Sequence, residues 1–149
     1  MPEALTVGID FGTSAVKVVA MDGAGHVHAH ASASYETAKP AAERAEQDPQ
    51  AWWRGLCAAA RAVIDAVGSN RIAAIGLSGQ LNGIVLAGAD GAVLAPALIW
   101  LDQRCGEEAA RLAADHAERL GETASSPISP IAVLPKLQWL ARHEPALMR

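Results

Sequence analysis

Three stretches of strand-type sequence follow one another within the first 34 residues, and their spacing limits the possible folds more than any other feature. They run from Leu5 to Asp10, from Ala15 to Met21 and from His26 to Ser34. Only short connections separate them, the second of which contains the turn residues Asp22-Gly23-Ala24-Gly25. Because tight turns join antiparallel neighbours, the sequence predicts a three-stranded antiparallel meander at the N-terminus.

A helix is predicted after this meander. Asp48-Pro49 provides an N-cap residue followed by proline at the first helical position. Apolar residues then recur at helical spacing as far as Val67, and Gly68 stands where a C-terminal cap is expected. The pattern predicts a helix over residues 49–67.

The rest of the chain alternates between strand-type and helix-type sequence. The apolar run Ile72–Leu77 indicates a buried strand that leads into a polar turn at 78–83, and residues 84–86 and 92–100 are further strand material that Pro96 interrupts. A meander followed by alternating helices and strands predicts an α/β domain with a mixed sheet and flanking helices.

Two helices are predicted towards the C-terminus. Asp102 is expected to cap a helix that runs to about Leu120 and carries Cys105, Ala109, Leu112 and Leu120 on one stripe. After a loop at 125–130, a last helix is expected to begin near Pro135 and to stop at Pro145.

Composition excludes several classes of protein. A chain of 149 residues with 51% hydrophobic and 19% charged residues can bury a core, which excludes disordered and fibrous classes. The formal charge of −4 and the lack of a basic run argue against nucleic-acid partners. No apolar stretch of about 18 residues is present, so no membrane partner is expected. An acidic N-terminus without a signal-peptide pattern and only two cysteines indicate a cytoplasmic, reduced protein.

The turn Asp10-Phe11-Gly12-Thr13-Ser14 is the first candidate for chemistry. Successive backbone amides at such a turn can bind an anion, and a carboxylate there can hold Mg²⁺. Lys17 adds a positive charge on the next strand. The alternative is that Asp10 and Ser14 stabilise a hairpin turn and that Lys17 is a solvated edge residue. The sequence has neither the P-loop nor the dinucleotide-binding glycine pattern.

Two further segments have the chemistry of a sugar site. In Ser78–Gly83 two glycines bracket Gln80 and Asn82, whose amides can bind hydroxyl groups. Trp100-Leu101-Asp102-Gln103-Arg104 combines an apolar ring with a carboxylate and a guanidinium, and sugars need both types of partner. The alternatives are an ordinary glycine turn for the first segment and, for the second, a core tryptophan, a capping aspartate and a surface arginine.

Three histidines, His26, His28 and His30, alternate along one predicted strand, a spacing compatible with metal binding. Because no carboxylate or cysteine was identified to complete a site nearby, we interpret them as an exposed strand face.

Taken in order along the chain, these motifs resemble the N-terminal part of the FGGY family of carbohydrate kinases. The segments that carry the resemblance are Gly8-Ile9-Asp10-Phe11-Gly12-Thr13-Ser14-Ala15-Val16-Lys17, Glu46-Gln47-Asp48-Pro49 with Trp52-Trp53, Gly79-Gln80-Leu81-Asn82-Gly83, Ile99-Trp100-Leu101-Asp102-Gln103-Arg104-Cys105, Pro135-Lys136-Leu137 and Arg142-His143-Glu144-Pro145. The first segment alone is shared with the wider actin and hexokinase-like superfamily, whereas the ordered set is much more specific.

The resemblance implies a ribonuclease-H-like domain of the actin and hexokinase type, and transfer of the γ-phosphoryl group of ATP to a sugar hydroxyl with Mg²⁺. Asp10 is then expected to hold Mg²⁺, and the expected phosphate-binding residues are Asp10, Gly12, Thr13, Ser14 and Lys17. The expected sugar-binding residues are Gln80, Leu81, Asn82, Trp100, Asp102 and Arg104.

The same resemblance implies that residues 1–149 are the N-terminal domain of a two-domain homodimeric enzyme, and we expect this domain to be incomplete in the chain. The C-terminal ATP-binding domain and the aspartate that acts as general base are expected downstream, so we expect the chain alone to be inactive.

A ketose is the expected sugar, D-xylulose in the first place, with xylulose 5-phosphate as the product. Family members that use xylulose usually carry Met-His in the slot that Leu81-Asn82 fills here, so another ketose or a polyol remains an alternative. A non-catalytic module or subunit that binds a sugar or a nucleotide is the alternative from a different class.

Overall fold

The structure of the protein, a computed structural model, describes residues 3–123 and 128–148. In chain order the elements are β1 (Leu5–Phe11), β2 (Ala15–Met21), β3 (Val27–Ser34), β4 (Glu46–Gln47), α1 (Pro49–Val67), β5 (Ile72–Gly79), β6 (Ala97–Leu98), α2 (Gly106–Thr123) and α3 (Val133–His143). The chain divides into two compact units, Met1–Glu36 with Asp48–Gln80, and Thr37–Gln47 with Leu81–Arg149. None of the described helices is long and apolar enough to cross a membrane.

The first unit is a mixed four-stranded sheet in the order β3-β2-β1-β5 with α1 packed on it. Strand β1 pairs antiparallel with β2 and parallel with β5, and β2 pairs antiparallel with β3. The predicted N-terminal meander and the predicted mixed sheet are therefore confirmed.

The core of the first unit lies between one face of this sheet and α1. Strand β1 alternates, with Leu5, Val7 and Ile9 buried and the residues between them at least partly exposed. Strand β2 contributes Val16, Val18 and Ala20 to the same core, and α1 contributes Ala59, Val63 and Val67. The opposite face of the sheet therefore carries the alternate residues of β1 and β2, among them the charged residues Asp10 and Lys17.

Strand β5 extends two residues beyond the predicted end at Leu77. Gly79 pairs with Phe11, and the amide of Gln80 donates to the Phe11 carbonyl at 2.8 Å. The predicted turn at 78–83 was therefore wrong for Ser78 and Gly79, because the parallel ladder with β1 continues through them.

Helix α1 occupies the predicted residues 49–67 and is capped at both ends. The Asp48 side chain accepts a hydrogen bond from the Gln50 amide at 2.8 Å. At the other end Gly68 has a φ of 85° and donates its amide to the Ile64 carbonyl. Glycine suits this position because a positive φ costs it little.

The second unit has little sheet and is organised by helices α2 and α3. Strands β4 and β6 have two residues each and pair antiparallel. The predicted strands at 84–86 and 92–100 were mostly wrong, since only Ala97–Leu98 form a strand and Ile84, Ala87 and Val93 take part in isolated bridges. Pro96 has no amide hydrogen to extend the ladder beyond β6.

The helix that Asp102 was predicted to cap begins at Gly106, four residues after Asp102. The Asp102 carboxylate accepts from the Arg104 amide and side chain, so it closes a turn before α2 rather than capping the helix. Of the predicted stripe, Cys105, Ala109 and Leu112 are buried, whereas the side chain of Leu120 lies outside the described residues. The predicted loop at 125–130 is described only from residue 128, and α3 begins two residues before Pro135 and ends before Pro145.

The cap at Asp48 gives a direct test of the α1 boundary. We expect Asp48→Ala to lower the free energy of unfolding by about 1 kcal/mol, because the Gln50 amide loses its acceptor. Asp65→Ala, at an exposed position later in the same helix, should change it by less than about 0.5 kcal/mol. Urea unfolding of both variants is the measurement, and equal effects would contradict the capping role.

Candidate functional site

The predicted phosphate-binding residues lie together in the first unit, at the turn between β1 and β2. Asp10 is the penultimate residue of β1, and Gly12, Thr13 and Ser14 form the connection to β2. The amide of Gly12 donates to the carbonyl of Ala15 at 3.0 Å, which closes the turn. A Cβ atom at Gly12 would lie 3.2 Å from that carbonyl oxygen and 3.7 Å from Oδ2 of Asp10. Because Gly12 has no side chain, the space beside the Asp10 carboxylate is not filled by a Cβ atom.

Strand register brings Lys17 and Ser78 to the same face as Asp10. Lys17 is the antiparallel partner of Asp10, and Ser78 is its parallel partner on β5. Partners in a ladder point to the same side of a sheet, so a carboxylate, an ammonium and a hydroxyl group share one row.

This row borders a cavity of about 640 Å³ on the sheet face opposite to α1. Gly8 and Gly76, which are paired across β1 and β5, contribute only backbone to the cavity wall. Two adjacent glycines leave the sheet surface accessible at its centre. The cavity thus combines an open floor with charged groups of both signs along one edge.

Tyr35, which was not predicted as a site residue, stabilises the turn Asp10–Ser14, called the phosphate turn below. Its hydroxyl donates to the carbonyl of Gly12, and its amide donates to the carbonyl of Ser14 at 3.1 Å. Burial, together with the negative charge of Asp10, raises the pKa of Tyr35 above its ordinary value. The phenol therefore stays protonated at neutral pH and keeps donating to the turn.

The donor set of this turn fits a phosphate group and Mg²⁺. Carboxylate and hydroxyl oxygens are the hard ligands that Mg²⁺ prefers, and Asp10, Thr13 and Ser14 provide them. Lys17 provides a cation on the same face. Their roles as ligands remain predictions.

The predicted sugar-binding residues, apart from Gln80, lie in the second unit. Leu81 and Asn82 are exposed, and Asn82 has a φ of 59°, a conformation that asparagine tolerates better than most residues. Lys136 supports this segment, since its buried ammonium donates to the carbonyls of Ile131 at 2.6 Å and Asn82 at 3.3 Å. Burial lowers the pKa of Lys136 from its ordinary value.

Asp102 and Arg104 form a buried ion cluster with Glu46. The Asp102 side chain is fully buried; its Oδ2 accepts from the Ala45 amide at 2.8 Å, and its Oδ1 accepts from Nε of Arg104 at 2.8 Å. The guanidinium also donates to Oε1 of Glu46 at 2.5 Å and lies 5.0 Å from the ring centre of Trp139. Burial alone would lower the pKa of Arg104, but the hydrogen bonds to Asp102 and Glu46 raise it.

The hydrogen bonds of this cluster occupy groups that were predicted to contact the sugar. Both carboxylate oxygens of Asp102 already accept protein hydrogen bonds, whereas Trp100, two residues earlier, is 37% exposed. Among the predicted sugar-binding residues of the second unit, Leu81, Asn82 and Trp100 are exposed, whereas Asp102 and Arg104 are held in the buried cluster. The sugar contacts of all five residues remain predictions.

Two supporting residues could have been recognised from the sequence and were not. Glu46 belongs to the quoted Glu46-Gln47-Asp48-Pro49 segment, and Lys136 to the Pro135-Lys136-Leu137 segment, but neither was assigned a role. A basic residue among apolar neighbours on α3 is the signal for Lys136, because a buried ammonium needs carbonyl partners.

The three histidines are exposed, as the sequence predicts, but the expectation that no carboxylate lies near them was wrong for His26 and His28. The Asp22 carboxylate lies 3.2 Å from Nδ1 of His26 and 3.0 Å from Nε2 of His28. The signal was the aspartate four residues before His26 in the predicted turn.

Comparison with known proteins assigns the class of this domain. A family model described as the N-terminal domain of the FGGY family of carbohydrate kinases matches residues 5–149. The match extends over nearly the whole chain and includes the phosphate turn, so the chain belongs to this family. The resemblance stated from the motifs is confirmed, as is the predicted fold class.

Within the family, the chain is similar to proteins named xylulose kinase. It is 36% identical over 143 residues to the xylulose kinase of Escherichia coli K12, which covers 96% of this chain and 29% of the E. coli protein. The crystal structure of xylulose kinase from Rhodospirillum rubrum superposes with a TM-score of 0.87 at 32% identity, over 96% of this chain and 30% of that chain. The glycerol kinase of Plasmodium falciparum, solved with ADP, has a TM-score of 0.87 at 20% identity, over 98% of this chain and 30% of that chain, and shares the fold. The chain therefore spans about three tenths of the length of these relatives.

The buried cluster predicts unequal effects of two arginine substitutions. Arg104→Ala leaves the buried Asp102 carboxylate without its cation, and we expect a loss of about 3 kcal/mol in the free energy of unfolding. Arg111→Ala removes an exposed pair with Glu107 and should cost less than about 1 kcal/mol. Denaturant unfolding of both variants measures the difference, and a small effect at Arg104 would show that the cluster does not stabilise the second unit.

Proposed function

We propose that this chain is the nucleotide-phosphate and sugar-binding part of a kinase that transfers the γ-phosphoryl group of ATP to a ketose, with D-xylulose as the first candidate. The observation that carries the proposal is the row Asp10, Lys17 and Ser78 beside an open glycine turn, in a domain of the FGGY carbohydrate kinase family. Similarity to proteins named xylulose kinase over more than nine tenths of the chain supports the choice of sugar.

The proposed role of the first unit is to position the phosphates. The amides of the Gly12–Ser14 turn and the Lys17 ammonium compensate phosphate charge, while Tyr35 holds the turn in place. Asp10 would hold Mg²⁺, which, when bound, neutralises charge that develops on the phosphate oxygens during transfer. Positioning and charge compensation account for most of the rate enhancement in phosphoryl transfer, so these groups are proposed to carry much of the catalysis.

The proposed role of the second unit is to select the sugar. Leu81 and Asn82 present an apolar side chain and an amide to solvent, and Trp100 adds part of an indole ring. Asn82 in place of the histidine usual in xylulose-using members changes the hydrogen-bonding pattern, which favours another ketose or a polyol as the second candidate.

A sugar panel tests the proposed activity. We expect the protein as its gene encodes it to release ADP from ATP in the presence of a ketose, and D-xylulose should give the highest kcat/KM. Asp10→Ala should lower kcat at least about 100-fold through lost charge compensation, while Asp65→Ala on the far helix keeps the wild-type rate. Activity of Asp10→Ala within a few-fold of wild type would place the phosphates elsewhere, and no turnover with any ketose, aldose or polyol would contradict the kinase proposal and leave a binding module.

Substitutions at Asn82 test the sugar selection. We expect Asn82→His to change the ratio of kcat/KM between xylulose and the other sugars at least about 10-fold, since a polar pocket discriminates strongly between hydroxyl patterns. Histidine also tolerates a positive φ, so the backbone can stay in place.

Asn82→Gly is the matched control, because it retains the backbone conformation and removes the amide. It should lower kcat/KM for the preferred sugar without improving any other sugar. Unchanged ratios in both variants would exclude Asn82 as a selectivity residue.

A further inference from the structure

A cluster of metal-ligating side chains lies at the end of the sheet away from the phosphate turn. Asp22 directly follows β2, and His26 and His28 lie on and beside the start of β3. The strand partner of Met21 is Thr6, near the beginning of β1, whereas the phosphate turn follows the end of β1. Lys17 and Met21 are four residues apart on β2, which separates the two regions by about 14 Å.

The two oxygens of Asp22 have different environments. Oδ1 accepts from the amides of Ala24 at 2.9 Å and His26 at 3.0 Å, and these bonds stabilise the turn. Oδ2 lies 3.0 Å from Nε2 of His28 and 3.2 Å from Nδ1 of His26. The turn therefore uses one oxygen, while the other faces two imidazole rings.

Glu3 brings a second carboxylate to the same place. Ligand atoms of Glu3, Asp22 and His28 all lie within 4.8 Å of one another. The main chain of Glu3 is held by Nε of Arg71, which donates to its carbonyl at 3.1 Å. The hydrogen bonds of the turn use only Asp22, so the turn does not explain why the Glu3 carboxylate lies beside it. Two carboxylates at this separation repel each other unless a cation lies between them.

The two distances from Oδ2 of Asp22 are compatible with a tetrahedral metal ion. Zn²⁺ binds imidazole nitrogen and carboxylate oxygen at about 2.0–2.1 Å, so neighbouring ligand atoms of a tetrahedron lie about 3.3 Å apart. The separations from Oδ2 of Asp22 to the two ring nitrogens, 3.0 and 3.2 Å, are close to that edge. Glu3 and His26 are exposed and free to adjust their rotamers, while Asp22 is fixed by the turn.

The hydrogen bonds at Oδ2 of Asp22 are compatible with metal binding. A bound metal ion would replace the ring protons of His26 and His28 that now point towards this oxygen.

We propose that Glu3, Asp22 and His28 form a binding site for one Zn²⁺ ion, with the exposed His26 as the fourth ligand after a change of its rotamer. Imidazole ligands favour Zn²⁺ over Mg²⁺, so this site differs in chemistry from the oxygen site proposed at Asp10. Zn²⁺ here joins the segment before β1 to the β2–β3 turn and acts on the stability of the first unit. The proposal does not depend on the proposed kinase function.

Zinc binding to the metal-free chain tests the site. In isothermal titration with ZnCl₂ we expect one ion per chain, and ZnCl₂ at about 100 times Kd should raise Tm by at least about 5 °C. Equal concentrations of MgCl₂ should leave Tm unchanged. Co²⁺ should give the intense visible bands of a tetrahedral complex.

The variants His28→Gln and His30→Gln form the decisive pair. His30 lies on the same strand but lines the cavity on the sheet face. We expect His28→Gln to weaken Zn²⁺ binding at least 10-fold and to remove the Co²⁺ bands, while His30→Gln binds as wild type. His28→Gln also leaves the Asp22 turn bonds intact, so it should fold where Asp22→Asn fails. No stoichiometric Zn²⁺ binding, or equal effects of the two variants, would overturn the proposal.

Discussion

Strand β1 is hydrogen-bonded along both of its edges, and the two faces of the first unit follow from that arrangement. Its odd-numbered residues Leu5, Val7 and Ile9 are fixed against α1, so its even-numbered residues must face the other way. A shift of one residue in register would bury Asp10 and expose the core. The hydrophobic alternation of a single strand thus determines where the carboxylate lies and which partners, Lys17 and Ser78, stand beside it.

The second unit combines an apolar cluster with a buried polar one. The apolar cluster consists of Ile84, Leu98, Cys105, Trp139 and Leu140. In the polar cluster Arg104 joins Asp102, Glu46 and the ring of Trp139. Breaking a buried ion pair is costly, so this cluster fixes the segment that presents Trp100. Lys136 has a similar effect on the segment of Asn82 through its carbonyl contacts. Asp102 and Arg104 were predicted as sugar ligands and Lys136 had no assigned role. All three instead stabilise the backbone of segments whose exposed residues are the candidate sugar contacts.

Local signals in the sequence were sufficient to predict the N-terminal meander and helix α1. Asp48, Pro49 and Gly68 determine the boundaries of α1 through backbone chemistry that is visible in the residues themselves. The strands predicted at 84–86 and 92–100 were mostly wrong, because β-structure needs a partner strand and β4 has only two residues. Asp102 looked like a helix cap because its partner, the amide of Ala45, is distant in sequence, and Glu3 was missed beside His28 for the same reason. The residue types of Asp10 to Ser14 were sufficient to predict the phosphate turn. The hydrogen bonds from Tyr35 could not be predicted, because they join residues that only the sheet brings together.

The most direct test is an amide-resolved NMR titration, with Mg·ATP, of the protein as its gene encodes it. If the turn after β1 binds phosphate, the amide signals of Gly12, Thr13 and Ser14 should shift more than any others, and Asp10→Ala should remove these shifts. Unchanged signals at these three amides, at a Mg·ATP concentration that supports sugar phosphorylation by the protein, would contradict the account.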